Sequence, residues 1–227
     1  LVTSDSFRSS AGDRPHHSTP PSILAERERS RMNIAPLGRE ATLEDLYRVE
    51  GKAELVDGRL VLMSPSSDAH NRAARNIVFR LTEHEWENGG GRAYVDGIGF
   101  IASNRRTFSP DAAWYVGPEF GDKVVEGVPM LAVEVRSLED YGPAAERRMA
   151  AKRVDYFSEG TRVVWDVDVL REGWIRSYHA SDPDHPAVFR RGEIADAEPA
   201  VPGWRFAVDD LFRTGKQESF RAENPRP

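Results

Sequence analysis

Ser109-Pro110-Asp111-Ala112-Ala113-Trp114-Tyr115 and Ala132-Val133-Glu134-Val135-Arg136-Ser137 each set a carboxylate in an apolar, strand-like run, the two acids standing 23 residues apart. A carboxylate among apolar side chains is costly unless something compensates it, and a divalent cation is one such compensation. Alternation along Leu131–Ser137 places Glu134 and Arg136 on one face with Ala132, and Leu131, Val133 and Val135 on the other. Pro110 cannot donate a ladder hydrogen bond, so Asp111 is expected where a strand enters the sheet at an edge or bulge. Adjacent strands lie roughly 5 Å apart, so Asp111 and Glu134 can reach one cation if their strands pair. Mg²⁺ suits such a sparse set, because it takes one or two carboxylates and completes its shell with waters and substrate phosphate.

Moving outward, a helix is expected near 143–159, with Pro143 in its first turn and Gly160 just past its end. Ala145, Met149, Lys152 and Tyr156 recur at helical spacing and place Lys152 on the core-facing stripe. An ammonium there can hold an attacking water or stabilise negative charge on phosphorus. Two carboxylates and this lysine point to a metal-dependent phosphodiesterase site. Strands are expected at about 92–102, 107–116 and 130–136, then through Arg162–Val169, Trp174–Tyr178 and Val188–Arg190. Upstream, Thr42 caps a short helix, and Glu54–Met63 forms a hairpin about the turn pair Asp57-Gly58. A longer helix runs from Ser67 or Asp68 to about Asn88, with Ala74, Val78, Leu81 and Glu85 on one side and Gly89-Gly90-Gly91 at its end. The sum is a mixed α/β chain with a central sheet flanked by helices and an N-terminal β-hairpin.

The 227 residues, 39% of them apolar, with ten Phe, six Tyr and five Trp, suffice for one real core. The absence of Cys excludes disulfides, thiolate catalysis and Cys-based zinc sites, so a metal must be held by oxygen or His. No apolar run approaches the roughly 20 residues of a membrane span, and the N-terminus lacks the apolar core of a secretory signal; a cytoplasmic protein is the expectation. A net charge of -6 argues against non-specific coating of nucleic acid, though not against a local basic cleft. Arg105-Arg106, Arg147-Arg148 and Lys152-Arg153 are candidate backbone contacts, each also readable as a solvated charged face. Residues 1–38 lack apolar periodicity and read as a disordered extension, with Met32 a candidate natural start. The folded unit spans 39–213, and 214–227 reads as a loose tail. His16-His17 and Asp182-Pro183-Asp184-His185-Pro186 read as disordered and turn-like sequence, not as metal sites.

Taken in order, Glu54-Leu55-Val56-Asp57-Gly58, Met63-Ser64-Pro65, His70, Pro110-Asp111, Glu134-Val135-Arg136-Ser137, Lys152 with Tyr156, and Val164-Trp165-Asp166-Val167-Asp168 resemble the Uma-two family. The closing Pro202-Gly203-Trp204 to Val208-Asp209-Asp210-Leu211-Phe212 extends the likeness over about 40–213. That family is described as restriction endonucleases of the PD-(D/E)XK nuclease superfamily. The resemblance implies a restriction-endonuclease-like core with Mg²⁺ or Mn²⁺ on Asp111 and Glu134, the Val135 backbone carbonyl as a third ligand, and Lys152 as the catalytic lysine. Glu54, His70, Arg136 and Tyr156 would line the site, the substrate would be DNA, and the chain would act as a homodimer. One departure stands out: where the superfamily pattern expects a lysine two residues after the glutamate, this chain has Arg136, which cannot act as a base. A metal-dependent endonuclease is the favoured reading. The other is a catalytically weak or inactive dimerising module of the same fold that binds nucleic acid or a partner protein, toward which Arg136 and the acidic charge lean.

Overall fold

The computed structural model describes residues 39–122 and 124–215. The expected extension over 1–38, its His16-His17 pair and most of the tail lie outside them. Helix α1 (Leu43–Tyr47) starts at Thr42, whose hydroxyl accepts from the Asp45 N–H while the Asp45 carboxylate accepts from the Thr42 N–H, a capping box. Strands β1 (Ala53–Val56) and β2 (Arg59–Leu62) pair antiparallel around Asp57-Gly58. Both turn residues hold positive φ, 49° and 74°, the primed geometry that matches strand twist and favours Asp-Gly. Helix α2 (Asp68–Asn88) begins at Ser67, whose side chain accepts from the His70 N–H, and ends at Gly89.

Strands β3 (Arg92–Val95), β4 (Phe100–Ser103), β5 (Arg106–Phe108) and β6 (Ala112–Tyr115) follow. The two long strands expected here are each broken. Gly97, at φ 95°, turns the chain between β3 and β4, and Ser109-Pro110 ends β5 before β6 begins. Strand β7 (Val125–Glu126), which sequence reading missed, pairs parallel with β4. Strand β8 (Leu131–Val135) leads through helix α3 (Pro143–Ser158) to β9 (Val163–Asp168), and β8 and β9 run parallel, as a crossover helix permits. Strands β10 (Trp174–His179) and β11 (Asp182–Arg190) extend the sheet, β12 (Ile194–Asp196) pairs with β13 (Arg205–Ala207), and a 3-10 turn (Val208–Phe212) closes the fold. The stretch Asp182–Pro186, expected as a turn, is strand. It lies on an edge of the sheet, where a proline withholds no interior hydrogen bond.

The central mixed sheet has the order β11-β10-β9-β8-β6-β3. Its two faces follow from alternation. Leu131, Val133 and Val135 of β8, with Val163, Trp165 and Val167 of β9, pack against Ala73, Ile77 and Leu81 of α2 and against Trp204 and Phe206. Ala132 and Val164, on the opposite face, meet Tyr156 of α3, Phe100 of β4 and Phe108 of β5. Leu55 and Leu60 anchor the β1–β2 hairpin beside α1, and the Leu55 N–H donates to the Thr107 hydroxyl at 2.8 Å. The hairpin is therefore fixed to the α3 side of the sheet, over the end of β6.

Candidate active site

Asp111 immediately precedes β6, and its N–H donates to the Val133 carbonyl at 2.9 Å. Ala112 pairs with Val133 and the Asp111 N–H bonds to that same residue, so Asp111 and Ala112 both stand against Val133, beside Glu134, as the chain enters the ladder. Strand β6 is interior, between β8 and β3, so Asp111 sits at a strand entry but not at a sheet edge. Pro110 is tolerated because the ladder starts after it.

The carboxylates are closely held. Asp111 Oδ2 accepts from the Val135 N–H at 2.8 Å, while Oδ1 lies 3.1 Å from His70 Nε2 and 3.8 Å from Lys52 Nζ. Lys152 Nζ donates to Glu134 Oε2 at 3.0 Å and to Glu54 Oε1 at 3.1 Å, and the Tyr156 hydroxyl donates to Glu134 Oε1 at 2.7 Å. Glu54 also accepts the Ser109 N–H at 2.7 Å, which ties the hairpin to the loop leading into Asp111. Tyr156 is fully buried and stacks on Phe108 at 4.1 Å between centroids.

Burial pushes the Glu134 carboxyl up to about 7; Lys152 opposes the shift, and Asp111 and Glu54 reinforce it. Burial likewise works against the Lys152 ammonium, yet Glu134 and Glu54 raise its pKa on balance. Burial would raise Asp111, but His70, the Val135 N–H and Lys52 hold it below the usual carboxylate range. His70 is raised despite burial by its contact with Asp111 and the field of Asp96. Its Nε2 contact to Asp111 is close but poorly aligned, and neither ring nitrogen has a hydrogen-bond partner among the described residues.

Of the residues expected at the site, Asp111, Glu134, Lys152, Glu54, His70 and Tyr156 come together. Arg136 does not join them. It shares the Glu134 face, but its guanidinium is buried against Asp166, with two bonds of 2.7 Å, and against Glu146. Arg136, expected to line the site, is turned away to Asp166 and Glu146, and Lys152 and Tyr156 are the partners of Glu134. Arg105 and Arg106 are also engaged, with Glu40 and with Asp57, Asp155 and Glu159 respectively. Two residues were missed. Lys52 ion-pairs with Asp96 at a cleft of about 600 Å³ that Ser64, Ser66, Ser67 and Asn71 also line. Lys52 stands two residues before Glu54, a strand-period spacing that could have revealed it. Asp96 lies in the turn after β3 and carried no such signal.

A family model, Uma2, described as "Putative restriction endonuclease", matches residues 41–209. The chain belongs to the Uma2 family. Its fold is similar to that of a solved protein from Anabaena variabilis, titled a "putative nuclease belonging to DUF820", with a TM-score of 0.60 and 15% identity, covering 75% of this chain and 97% of that one. At that identity the likeness shows the fold. No curated protein matches. The Uma2 match takes in the hairpin, both carboxylate-bearing strands and α3, so all the clustered residues lie within the family region. No helix among the described residues is long and apolar enough to cross a membrane.

Asp111 and Glu134 offer carboxylate oxygens from neighbouring strands, linked through the Val135 N–H that Asp111 accepts. Among the described residues no group of three or more His, Asp or Glu is arrayed around a metal position. Hard oxygen donors are the type Mg²⁺ takes, and a carboxylate oxygen accepting one hydrogen bond retains a free lone pair.

Proposed function

We propose that this Uma2 protein is a metal-dependent endonuclease that hydrolyses phosphodiester bonds in DNA. The observation that carries the reading is the Asp111 carboxylate bonded to the Val135 N–H, next to Glu134, with Lys152 bridging Glu134 and Glu54. Asp111, Glu134 and the Val135 carbonyl would hold Mg²⁺ or Mn²⁺, which supplies charge neutralisation at the phosphate and acidifies a water. Lys152 positions the water that attacks phosphorus and stabilises the charge gathering on the phosphoryl oxygens. Glu54 and Tyr156 set the positions of Lys152 and Glu134, and His70 orients Asp111. Arg136 has no base role, since its proton is held by two carboxylates. A homodimer supplies the two sites that cutting both strands requires, and a cytoplasmic location fits DNA as substrate.

The second reading, a weak or inactive nuclease-fold module, draws on the engagement of both Glu134 oxygens by Lys152 and Tyr156. The deciding experiment is cleavage of supercoiled, linear, single-stranded and branched DNA with Mn²⁺, Mg²⁺ or EDTA, for wild type beside Asp111→Ala. Metal-dependent cutting that Asp111→Ala loses is the expected result. No cutting, together with no Mg²⁺- or Mn²⁺-dependent rise in melting temperature, would overturn the enzyme reading.

A further inference from the structure

Most arginines of the described residues are tied to carboxylates. Arg153, Arg171 and Arg176 differ: among those residues they make no side-chain hydrogen bond or ion pair, and each lays its guanidinium over an aromatic ring. The rings are Tyr178 at 3.9 Å, Tyr141 at 3.8 Å and Trp174 at 4.0 Å respectively.

These stacks form one row. Arg171 lies over Tyr141, Arg136 lies 5.5 Å from the same ring and 4.9 Å from Trp174, and Arg176 covers Trp174. Tyr178, two residues beyond Arg176 on the same face of β10, carries Arg153 from α3. The row ends at Arg153, the residue after Lys152, and so runs up to the candidate catalytic cluster. The acids along it are hydrogen-bonded within the fold: Asp166 and Glu146 by Arg136, Asp168 by the neutral Tyr141 hydroxyl, and Glu172 by Arg190. Set against these four acids, Arg136 and Arg190 with Arg153, Arg171 and Arg176 leave the row positive by one charge, in a chain that is acidic overall. Stacking orders a guanidinium while leaving its N–H edge free of protein acceptors.

We propose that this row binds the phosphate backbone of the duplex arm beside the scissile bond, with Arg153, Arg171 and Arg176 as the phosphate contacts. The inference rests on the endonuclease reading for the identity of the ligand, and its test separates the two. Binding of a labelled DNA duplex is measured in EDTA by anisotropy across a salt series, for wild type, Asp111→Ala and the triple variant Arg153→Gln, Arg171→Gln, Arg176→Gln.

Asp111→Ala should bind at least as well as wild type. The triple variant should lose about tenfold or more in affinity, and its salt slope should flatten by about 3, near 0.9 for each phosphate that is no longer neutralised. The corresponding triple lysine variant should recover most of that slope. Equal affinity and slope for wild type and the triple glutamine variant would overturn the row as a DNA surface while leaving metal-dependent cleavage intact. Wild type that neither binds nor cuts DNA would overturn both readings. If the triple variant melts early, Arg171→Gln alone decides, since Arg171 is exposed and its ring contact is to Tyr141; a slope unchanged from wild type would overturn the proposal.

Discussion

Glu134 and Asp166 are direct partners across β8 and β9, on one face of one sheet, yet they belong to two different kinds of charge cluster. Asp166 is fully buried and receives a planar fork from Arg136, whose remaining N–H groups reach Glu146 and the Asp140 carbonyl. Burial pushes Asp166 up against the pull of Arg136, but a guanidinium that cannot lose its proton, held by two bonds of 2.7 Å, keeps the pair ionised. Glu134 is met by an ammonium and a phenol, and three further acids, Asp111, Glu54 and Asp96, stand close by with Lys52 and His70. A fork fixes geometry, whereas a lysine on a flexible stem can re-aim. The arginine cluster is closed and structural; the lysine cluster can exchange partners with a ligand.

The largest effect should come from breaking the closed cluster. Arg136→Ala leaves Asp166 buried and uncompensated, with an expected loss of about 3–5 kcal/mol. At about 2–4 °C per kcal/mol for a chain of this size, the melting temperature should fall by roughly 6–20 °C. Thermal melts of purified protein check this. A drop below a few degrees would show that the arginine cluster is not the structural one.

The open cluster should respond in rate more than in stability. Lys152→Ala is expected to keep metal binding, read by calorimetric titration, and to lose cleavage by about a hundredfold or more, the scale of removing one preorganised charge-stabilising group. Its stability cost should stay below that of Arg136→Ala, because Glu134, with its carboxyl raised to about 7, can take up a proton when the ammonium is gone. Unchanged turnover in this variant would remove Lys152 from the mechanism.

How much of this contrast was legible in the sequence follows from the range of each interaction. Asp111, Glu134 and Lys152 were readable because strand alternation and helical spacing are local, and a charge on an apolar stripe is visible at once. Glu54, His70 and Tyr156 entered through the family likeness, since nothing in a hairpin or a helix start says which distant acid it will meet. Arg136 was expected at the site, and its partner Asp166 could not be read, because it lies 30 residues away on the next strand and parallel register is not visible in one chain. The split of the expected 92–102 and 107–116 strands was foreshadowed by Gly97 and Pro110. The first part of β11, before the expected Val188–Arg190, was hidden by prolines that only an edge position accommodates.

A pH test sharpens the closed side further. Burial raises the Asp168 carboxyl, but the Tyr141 hydroxyl and the N–H groups of Glu172, Leu170 and Arg171 outweigh it, so its folded pKa is depressed. A depressed acid contributes stability that is present above its unfolded pKa and lost as pH falls through the folded one. Asp168→Asn should therefore cost about 1–2 kcal/mol near neutral pH. The gap to wild type should close as pH drops below the ordinary aspartate range. A gap that is constant or widens toward acid would contradict the assignment.

The smallest expected effect tests whether distance or burial separates the clusters. Arg105 and Glu40 approach to 2.8 Å, nearly as close as Arg136 and Asp166 at 2.7 Å, yet both side chains are more than half exposed, at 52% and 62%. Water screens such a pair and competes for its hydrogen bonds, so the gain of bringing the charges together is small and the entropy of two long side chains offsets it. Arg105→Ala should change stability by less than about 0.5 kcal/mol, and because its charge is already committed to Glu40 it should leave the salt dependence of DNA binding where it was. Denaturant titration beside the anisotropy series measures both. A cost of about 2 kcal/mol or more, the scale at which buried pairs begin to act, would mean that short ion pairs stabilise this fold regardless of exposure. The distinction between a closed buried cluster and an open reactive one would then need a cause other than burial.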